Sequence, residues 1–261
     1  MINETRMIDV AGKRTQVLVG GEGPPLLYLH SAGSETFWLP FHQGLAQHFT
    51  VYAPAHPGFA ESEGLEEIDT IEDLVFHYWD LFDLMGWEKV NIVGASLGGW
   101  IAAEFAVRYP EKVDRLVLVG SAGLWVDDAP IADLFASLLS PERLRSMIFH
   151  DPNSFLAQLL LPAQPSPEQM LLSFKAMQAA ARVGWNPFMH NPKLRRRLYR
   201  IKSPTLILWG ESDKLIPLAH AHAYHEGIKN SQMVILKQCG HLPMFEKTEE
   251  FVKAVVGFLR S

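Results

Sequence analysis

A serine between two glycines is the feature of this sequence that most directly indicates a reaction. Gly94-Ala95-Ser96-Leu97-Gly98 fits the pattern Gly-x-Ser-x-Gly. The residues before it, 89–93, predict a buried strand, and residues 100–109 predict a helix that ends before Pro110. A serine in such a turn has a strained backbone that needs small neighbours, and its hydroxyl stands above the sheet at the positive end of the helix. Ser96 is therefore predicted to be a nucleophile.

A serine hydroxyl needs a base and an acid to react, and two later residues suit these roles. An imidazole can take the hydroxyl proton near neutral pH, and a carboxylate fixes the tautomer of the imidazole. Asp213 and His241 lie in loops that follow the last two predicted strands. Both are expected on the same edge of the sheet as Ser96. We predict a catalytic triad of Ser96, Asp213 and His241.

Two other aspartates remain candidates for the acid of the triad, and the other histidines do not indicate a metal site. Asp127 and Asp128 follow the sixth predicted strand and remain alternative positions for the acid. The histidines at 220, 222 and 225 crowd one predicted helix, but no carboxylate or cysteine joins them at the spacing of metal ligands. We predict no metal site and no cofactor.

The elements that must position these residues alternate between strands and helices. This alternation predicts a mostly parallel, doubly wound sheet with helices on both faces, preceded by a hairpin of residues 6–10 and 15–19. No strand is predicted between Ser121 and Lys202. Helices are predicted there at 131–139, 141–149, 153–160 and 168–183. We predict an α/β core of residues 1–120 and 203–261, with residues 121–202 inserted after the sixth strand as a helical lid.

The last helix of the insertion carries an apolar face. Met170, Phe174, Met177 and Ala181 recur at helical spacing and predict either a satellite core or a lid whose inner face borders the crevice. We favour the lid, because an insertion at this place lies above the carboxyl edge of the sheet. The predicted substrate-binding residues are Trp125, Met177, Ile216 and Leu242.

Composition limits the classes of protein to which the chain can belong. Its 261 residues, 48% of them hydrophobic, suit one large folded domain with an insertion. A net charge of −6 argues against a nucleic-acid partner, and a single cysteine, Cys239, excludes an internal disulfide. No apolar run approaches the roughly 20 residues of a membrane span, and residues 1–9 carry charges where a signal peptide is apolar. We expect a cytoplasmic protein with no membrane partner, and leave a homodimer open.

Five segments together resemble the α/β-hydrolase superfamily. They are Leu-His-Ser-Ala-Gly-Ser (29–34), His-Pro-Gly-Phe-Ala-Glu-Ser (56–62), Gly-Ala-Ser-Leu-Gly-Gly (94–99), Pro-Thr-Leu-Ile-Leu-Trp-Gly-Glu-Ser-Asp (204–213) and Gly-His-Leu-Pro (240–243). The resemblance covers essentially the whole chain and implies the order Ser, Asp, His for the triad. It also implies an oxyanion hole formed by the N–H groups of Leu97 and Ala32, with Gly33 as the neighbouring alternative.

Family members of this size with a helical cap include carboxylesterases, lactonases and carbon–carbon hydrolases of ring-cleavage products. Residues 185–188 and 192–194 resemble the carbon–carbon group, whose members usually have Asn at the position of Ala95 and an aromatic residue at that of Leu242. On these two departures we predict hydrolysis of small apolar carboxylic esters through an acyl-enzyme. Carbon–carbon hydrolysis and lactone hydrolysis are the alternatives, and a ligand-sensing receptor that keeps the triad is the alternative that is not an enzyme.

Overall fold

One sheet organises the chain and brings the ends of its parallel strands to a single edge. The computed structural model describes residues 3–33, 35–137 and 140–261. Within them the strands are β1 (Asn3–Val10), β2 (Lys13–Gly20), β3 (Pro25–Leu29), β4 (Thr50–Pro54), β5 (Val90–Ala95), β6 (Val113–Val119), β7 (Thr205–Gly210) and β8 (Ser231–Leu236). Their order is β1-β2-β4-β3-β5-β6-β7-β8, and β2 pairs antiparallel with both of its neighbours. The other pairs are parallel, as predicted.

Helices cover both faces of this sheet. They are α1 (Pro40–Leu45), α2 (Ile71–Leu84), α3 (Leu97–Arg108), α4 (Pro141–Ile148), α5 (Phe155–Leu160), α6 (Pro167–Gly184), α7 (Ala219–Gly227), α8 (Pro243–Glu246) and α9 (Thr248–Leu259). One apolar cluster packs α2 and α3 against the sheet, and a second packs α1 and α9 against its other face. The predicted α/β class is confirmed.

Local signals explain where two of the helices begin. The Thr70 hydroxyl accepts the amide of Asp73, whose carboxylate accepts the Thr70 amide at 2.8 Å, so both donors at the start of α2 are satisfied. Helix α1 is only six residues long. It begins at Pro40, whose fixed backbone suits the first helical position.

The segment between β6 and β7 is helical where the structure describes it. Helices α4, α5 and α6 lie close to their predicted positions. The helix predicted over 131–139 is wrong: residues 131–137 form extended chain and turns, and residues 138–139 lie outside the described part. A local hydrogen bond explains the absence of this helix. The Ala136 amide donates to the Asp133 carboxylate at 2.8 Å, and the bond closes a single turn. The division into core and lid remains a prediction.

The apolar face predicted for α6 is only partly covered. Met170 and Phe174 are 56% and 64% exposed, while Met177 is half-buried. The face of α6 that packs inward instead carries small side chains in its second half, namely Ala176, Ala179, Ala180 and Val183. Small residues allow close packing against the body of the protein, and the first half of α6 extends beyond that contact.

Candidate active site

The turn after β5 has the strained form that the sequence predicts. Ser96 has φ +52° and ψ −111°, outside the common backbone regions. A Cβ at Gly94 would lie 2.4 Å from the Gly98 carbonyl oxygen, and one at Gly98 would lie 2.1 Å from that of Leu29. Side chains are excluded at both glycines because the first turn of α3 lies directly against β5 and the end of β3.

Asp213 and His241 form a buried pair. The Nδ1–H of His241 donates to Asp213 Oδ2 at 2.7 Å, while Asp213 Oδ1 accepts the amides of Leu215 at 3.0 Å and Ile216 at 2.8 Å. Both side chains are buried. His241 Nε2 is also buried and bonds to no group in the described part of the chain. The pair therefore holds an imidazole whose second nitrogen is free to take a proton.

Ser96 and His241 border the same turn. The Ser96 amide donates to Val119 at 2.8 Å, and the Ala122 amide donates back to Ser96 at 3.1 Å. Between them Gly120 has φ +50°, and a Cβ there would lie 3.2 Å from the His241 ring. The His241 ring thus packs on the turn that is hydrogen-bonded to the backbone of Ser96, which supports the predicted grouping of the three residues.

The alternative acids lie elsewhere. Asp127 is exposed and accepts the indole N–H of Trp125 at 2.9 Å, and Asp128 is exposed as well. Neither is paired with His241. The structure therefore assigns the carboxylate beside the imidazole to Asp213.

The loop after β3 contains the first of the two predicted oxyanion donors. Ala32 is buried in this loop, and Leu97, which carries the second, is buried at the first position of α3. The amide N–H of neither residue is engaged by another described residue. These two amides stay our prediction for the oxyanion hole.

Two histidines whose rings lie against each other, His30 and His56, brace this loop. Their ring centroids lie 3.7 Å apart. His30 donates from Nδ1 to the Ser31 carbonyl at 2.7 Å and accepts the His56 amide at Nε2, while His56 Nε2 donates to the His30 carbonyl at 2.9 Å. Burial lowers the pKa of His30 to about 4, so both rings act as neutral, fixed hydrogen-bonding groups.

Glu35 is a residue of this loop that sequence reasoning missed. Its side chain is only 5% exposed, and its carboxylate accepts both the amide and the hydroxyl of Ser31 at 2.6 Å. Burial raises the pKa of the Glu35 carboxyl, while the hydrogen bonds from Ser31 oppose that shift. The available signal was an acidic residue beside a loop of small residues in an otherwise apolar region.

The four predicted substrate-binding residues differ in how they pack, and their role in binding stays a prediction. Met177 and Ile216 pack with the apolar cluster that contains α3, but Leu242 packs with the cluster on the opposite face. Trp125 is 41% exposed and lies against the His190 ring at 5.1 Å. The indole N–H of Trp125 bonds to the exposed Asp127 at the turn of residues 127–128, which accounts for the outward position of the ring.

A cavity of about 420 Å³ adjoins the loop that carries Glu35. Among its lining residues are Gln16, Thr36, Phe37 and Leu172 of α6. Ser96 and His241 are not among the described residues that line it. The cavity therefore lies beside the loop and separate from the His241–Asp213 pair.

Two arginines of the insertion differ in how their donors are used. Arg182 donates to the Glu66 carbonyl at 3.1 Å and to the Asp69 carboxylate at 2.8 Å, so it fastens α6 to the segment before α2. Arg145 of α4 is only 8% exposed and donates to the Leu161 carbonyl at 2.6 Å. Its buried Nε–H has no partner, and no carboxylate lies within 4 Å, among the residues that the structure describes.

Residues 24–248 match the family model described as the alpha/beta hydrolase fold. The chain belongs to this family. It is 33% identical to 2-hydroxymuconate semialdehyde hydrolase of Pseudomonas putida, over 97% of this chain and 93% of that protein. It is 29% identical to 2-hydroxy-6-oxo-6-phenylhexa-2,4-dienoate hydrolase of Comamonas testosteroni, over 92% of this chain and 89% of that protein.

Solved structures of similar proteins include two kinds of hydrolase. A meta-cleavage product hydrolase of Pseudomonas fluorescens superposes with a TM-score of 0.81 at 28% identity, covering 98% of this chain and 97% of that one. A thermophilic esterase superposes with a TM-score of 0.72 at 25% identity, covering 99% of this chain and 98% of that one. These likenesses favour the carbon–carbon alternative over the ester hydrolysis that we predicted from Ala95 and Leu242.

No three His, Cys, Asp or Glu side chains in ranges 3–33, 35–137 and 140–261 are grouped so that they could hold a metal ion. None of the helices described is both long and apolar enough to cross a membrane.

Proposed function

We propose that this α/β hydrolase cleaves a carbon–carbon bond in 2-hydroxy-6-oxo-dienoates, the products of aromatic ring cleavage, with Ser96 as nucleophile. The observation that carries the proposal is the likeness to dienoate and semialdehyde hydrolases along almost the whole chain. The buried Asp213–His241 pair supports it, since the free Nε2 of His241 can serve as the base. A cytoplasmic location is part of the same proposal, and fractionation of cells would test it.

The reaction begins on the substrate before the serine attacks. The dienol moves its hydroxyl proton to carbon, so that the carbon that will depart lies beside a conjugated carbonyl able to accept an electron pair. His241 Nε2 then takes the proton of Ser96 as the hydroxyl oxygen attacks the ketone carbon. The oxyanion accepts the N–H groups of Ala32 and Leu97, and each such donor lowers the barrier by roughly 3–4 kcal/mol.

Collapse of this tetrahedral intermediate breaks the carbon–carbon bond. The bonding electron pair moves into the conjugated carbonyl of the departing fragment, and the imidazolium of His241 returns its proton to that fragment. Water next gives a proton to His241 and attacks the acyl group on Ser96, which releases the second product as an acid and restores the enzyme.

Arg145 supports a substrate that carries a negative charge. A buried guanidinium is expensive unless an anion or several acceptors pair with it. Arg145 lies one helical turn before Ile148, whose carbonyl accepts the backbone amide of His241 at 2.6 Å. The unpartnered Nε–H of Arg145 is a buried donor, on the helix that contacts the His241 loop, that a carboxylate could use, whereas the donors of Arg182 are already engaged.

Ester hydrolysis is the second candidate. It is favoured by Ala95 beside the nucleophile and Leu242 beside His241, the two positions at which this chain departs from the carbon–carbon group. The same triad chemistry applies, except that the leaving group is an alkoxide. An alkoxide leaves more easily than a carbanion, so an ester needs no prior proton transfer to carbon.

Comparing kcat/KM for a 2-hydroxy-6-oxo-dienoate with that for a short-chain p-nitrophenyl ester decides between the two. We expect the dienoate to be preferred, and a ratio that favours the ester would replace the first candidate by the second. Arg145→Gln should lower kcat/KM for the dienoate by about tenfold or more and leave the uncharged ester almost unchanged. The matched control is Arg143→Gln, an exposed arginine on the same helix. Lack of steady turnover of both substrates would favour the ligand-sensing alternative.

A further inference from the structure

The loop after β3 is closed by hydrogen bonds to one carboxylate, that of Glu35. Glu35 Oε2 accepts the Ser31 amide and Oε1 accepts the Ser31 hydroxyl, both at 2.6 Å. The Ser31 hydroxyl oxygen in turn accepts the Gly33 amide at 2.9 Å. These three hydrogen bonds enclose Ala32, so the direction of the peptide groups on both sides of Ala32 depends on where the carboxylate lies.

The carboxylate is an unusual group for this position. Glu35 is buried, and no lysine or arginine lies within 4 Å of it in the described part of the chain. Burying a carboxylate without a cation is costly unless hydrogen bonds to it are good. A turn of small residues needs no such group to close, so the cost indicates that the carboxylate fixes a conformation that the loop does not keep unaided.

The loop is in direct contact with the nucleophile turn. A Cβ on Gly98 of α3 would lie 2.1 Å from the Leu29 carbonyl oxygen and 2.6 Å from that of His30. The start of the loop and the first turn of α3 therefore have a fixed relative position. His30 bonds to the Ser31 carbonyl, and Glu35 bonds to the amide and hydroxyl of the same residue.

We propose that Glu35 is a positioning residue of the active site, acting through Ser31 to fix the direction of the Ala32 N–H toward the oxyanion. This rests on the proposed function, in which Ser96 attacks a carbonyl and Ala32 is one of two donors to the resulting oxyanion. The positioning affects the tetrahedral state more than the bound substrate, because negative charge on the oxygen develops only as Ser96 attacks.

The test compares two substitutions of Glu35 by turnover and by affinity for phenylboronic acid, which becomes a tetrahedral anion on the serine oxygen. Glu35→Ala should lower kcat about 100-fold and leave KM within about threefold, because a misplaced oxyanion donor affects mainly the transition state. Affinity for the boronic acid should fall with kcat. Glu35→Gln should restore most of both, since its amide oxygen can accept the Ser31 amide and its NH₂ can donate to the Ser31 hydroxyl.

Thermal unfolding of each variant separates positioning from a loss of stability, and exposed Glu22→Ala is the matched control. Unchanged kcat and boronic-acid affinity in Glu35→Ala would overturn the proposal, as would a loss of kcat with unchanged affinity. If Glu35→Ala does not fold, Ser31→Ala carries the same criterion, because it removes two of the three hydrogen bonds without adding bulk. Boronic-acid binding that survives in Ser96→Ala would instead contradict the assignment of the nucleophile, which is a failure of the proposed function and not of the role of Glu35.

Discussion

The backbone N–H of His241 donates a hydrogen bond of 2.6 Å to the carbonyl oxygen of Ile148. Ile148 is the last residue of α4 and belongs to the insertion between β6 and β7. The amide of Lys214 similarly donates to the Met147 carbonyl at 3.3 Å. The end of α4 therefore contacts both loops of the Asp213–His241 pair, and this part of the insertion cannot move away without breaking those bonds.

Glu246 of α8 extends the same connection. Its carboxylate accepts the His150 amide at 2.9 Å and the Gly240 amide at 2.5 Å. One side chain thus links the residue before His241 to the segment that follows α4. Any opening of the insertion should begin beyond His150, where the bonds to the His241 loop end.

The first prediction follows from this link. Glu246→Ala should lower kcat by about tenfold and destabilise the fold by roughly 1–3 kcal/mol, because it leaves the partly buried Gly240 amide and the more exposed His150 amide without this acceptor. Turnover and urea unfolding measure the two effects. Glu250→Ala is the control, since Glu250 is an exposed residue of α9 whose ion pair with Lys247 is loose, at 3.9 Å. A Glu246 variant that matches this control in both measurements would show that the link has no effect on His241.

The Asp213–His241 pair and the strained turn of Ser96 could be predicted from the sequence because their signals are local. Ser96 lies in a short motif between a strand and a helix, and Asp213 and His241 each follow a strand. The carboxyl ends of parallel strands meet at one edge of a sheet, so the parallel arrangement alone predicted that these residues share an edge. That the three residues act together as a triad stays a prediction.

The surroundings of the triad could not be predicted, because they depend on contacts between distant segments. Periodicity placed Met170 and Phe174 on one face of α6 but could not tell that this half of the helix extends beyond the body of the protein. The outward direction of Trp125 depends on Asp127 and His190. The role of Glu35 depends on a turn that returns its side chain to Ser31, which no pattern of residue types reveals.

The second prediction concerns the nucleophile. Ser96→Ala should fold normally, since alanine fits the same strained position between glycines, and should lower turnover by a factor on the order of 10⁶. Steady-state turnover, with circular dichroism to check folding, measures both. Activity above a tenth of the wild-type value would contradict Ser96 as the nucleophile.

The third prediction concerns the acid. Asp213→Asn should reduce turnover by roughly 10⁴, because the amide no longer favours the His241 tautomer with its proton on Nδ1. Asp127→Asn provides a matched control on an exposed carboxylate whose one bond to the described residues is to the Trp125 indole. Equal losses in the two variants would mean that the buried pair has no special part in the reaction.

The fourth prediction concerns stability and pH at His77 in α2. Both ring nitrogens of His77 are buried without a hydrogen-bond partner among the described residues, and burial, with a smaller effect of the Lys13 charge, lowers the pKa of His77 to about 4. The unfolded chain binds a proton near pH 6.5, whereas the folded protein does so only near pH 4. Each pH unit between these values should therefore cost up to about 1.4 kcal/mol of stability as the pH falls.

Replacing the His77 ring by an apolar side chain should remove its pH-dependent contribution to the free energy of unfolding. His77→Leu is expected to make the free energy of unfolding less dependent on pH between about 6.5 and 4, and to stabilise the protein by roughly 2 kcal/mol more at pH 5 than at pH 8. Part of the pH dependence should remain, because burial also lowers the pKa of His30 to about 4 and that of His42 to about 3. Urea unfolding at the two pH values measures the change. His222→Leu on the exposed side of α7 is the control, and an equal change in both variants would contradict the assignment of this pH dependence to burial of His77.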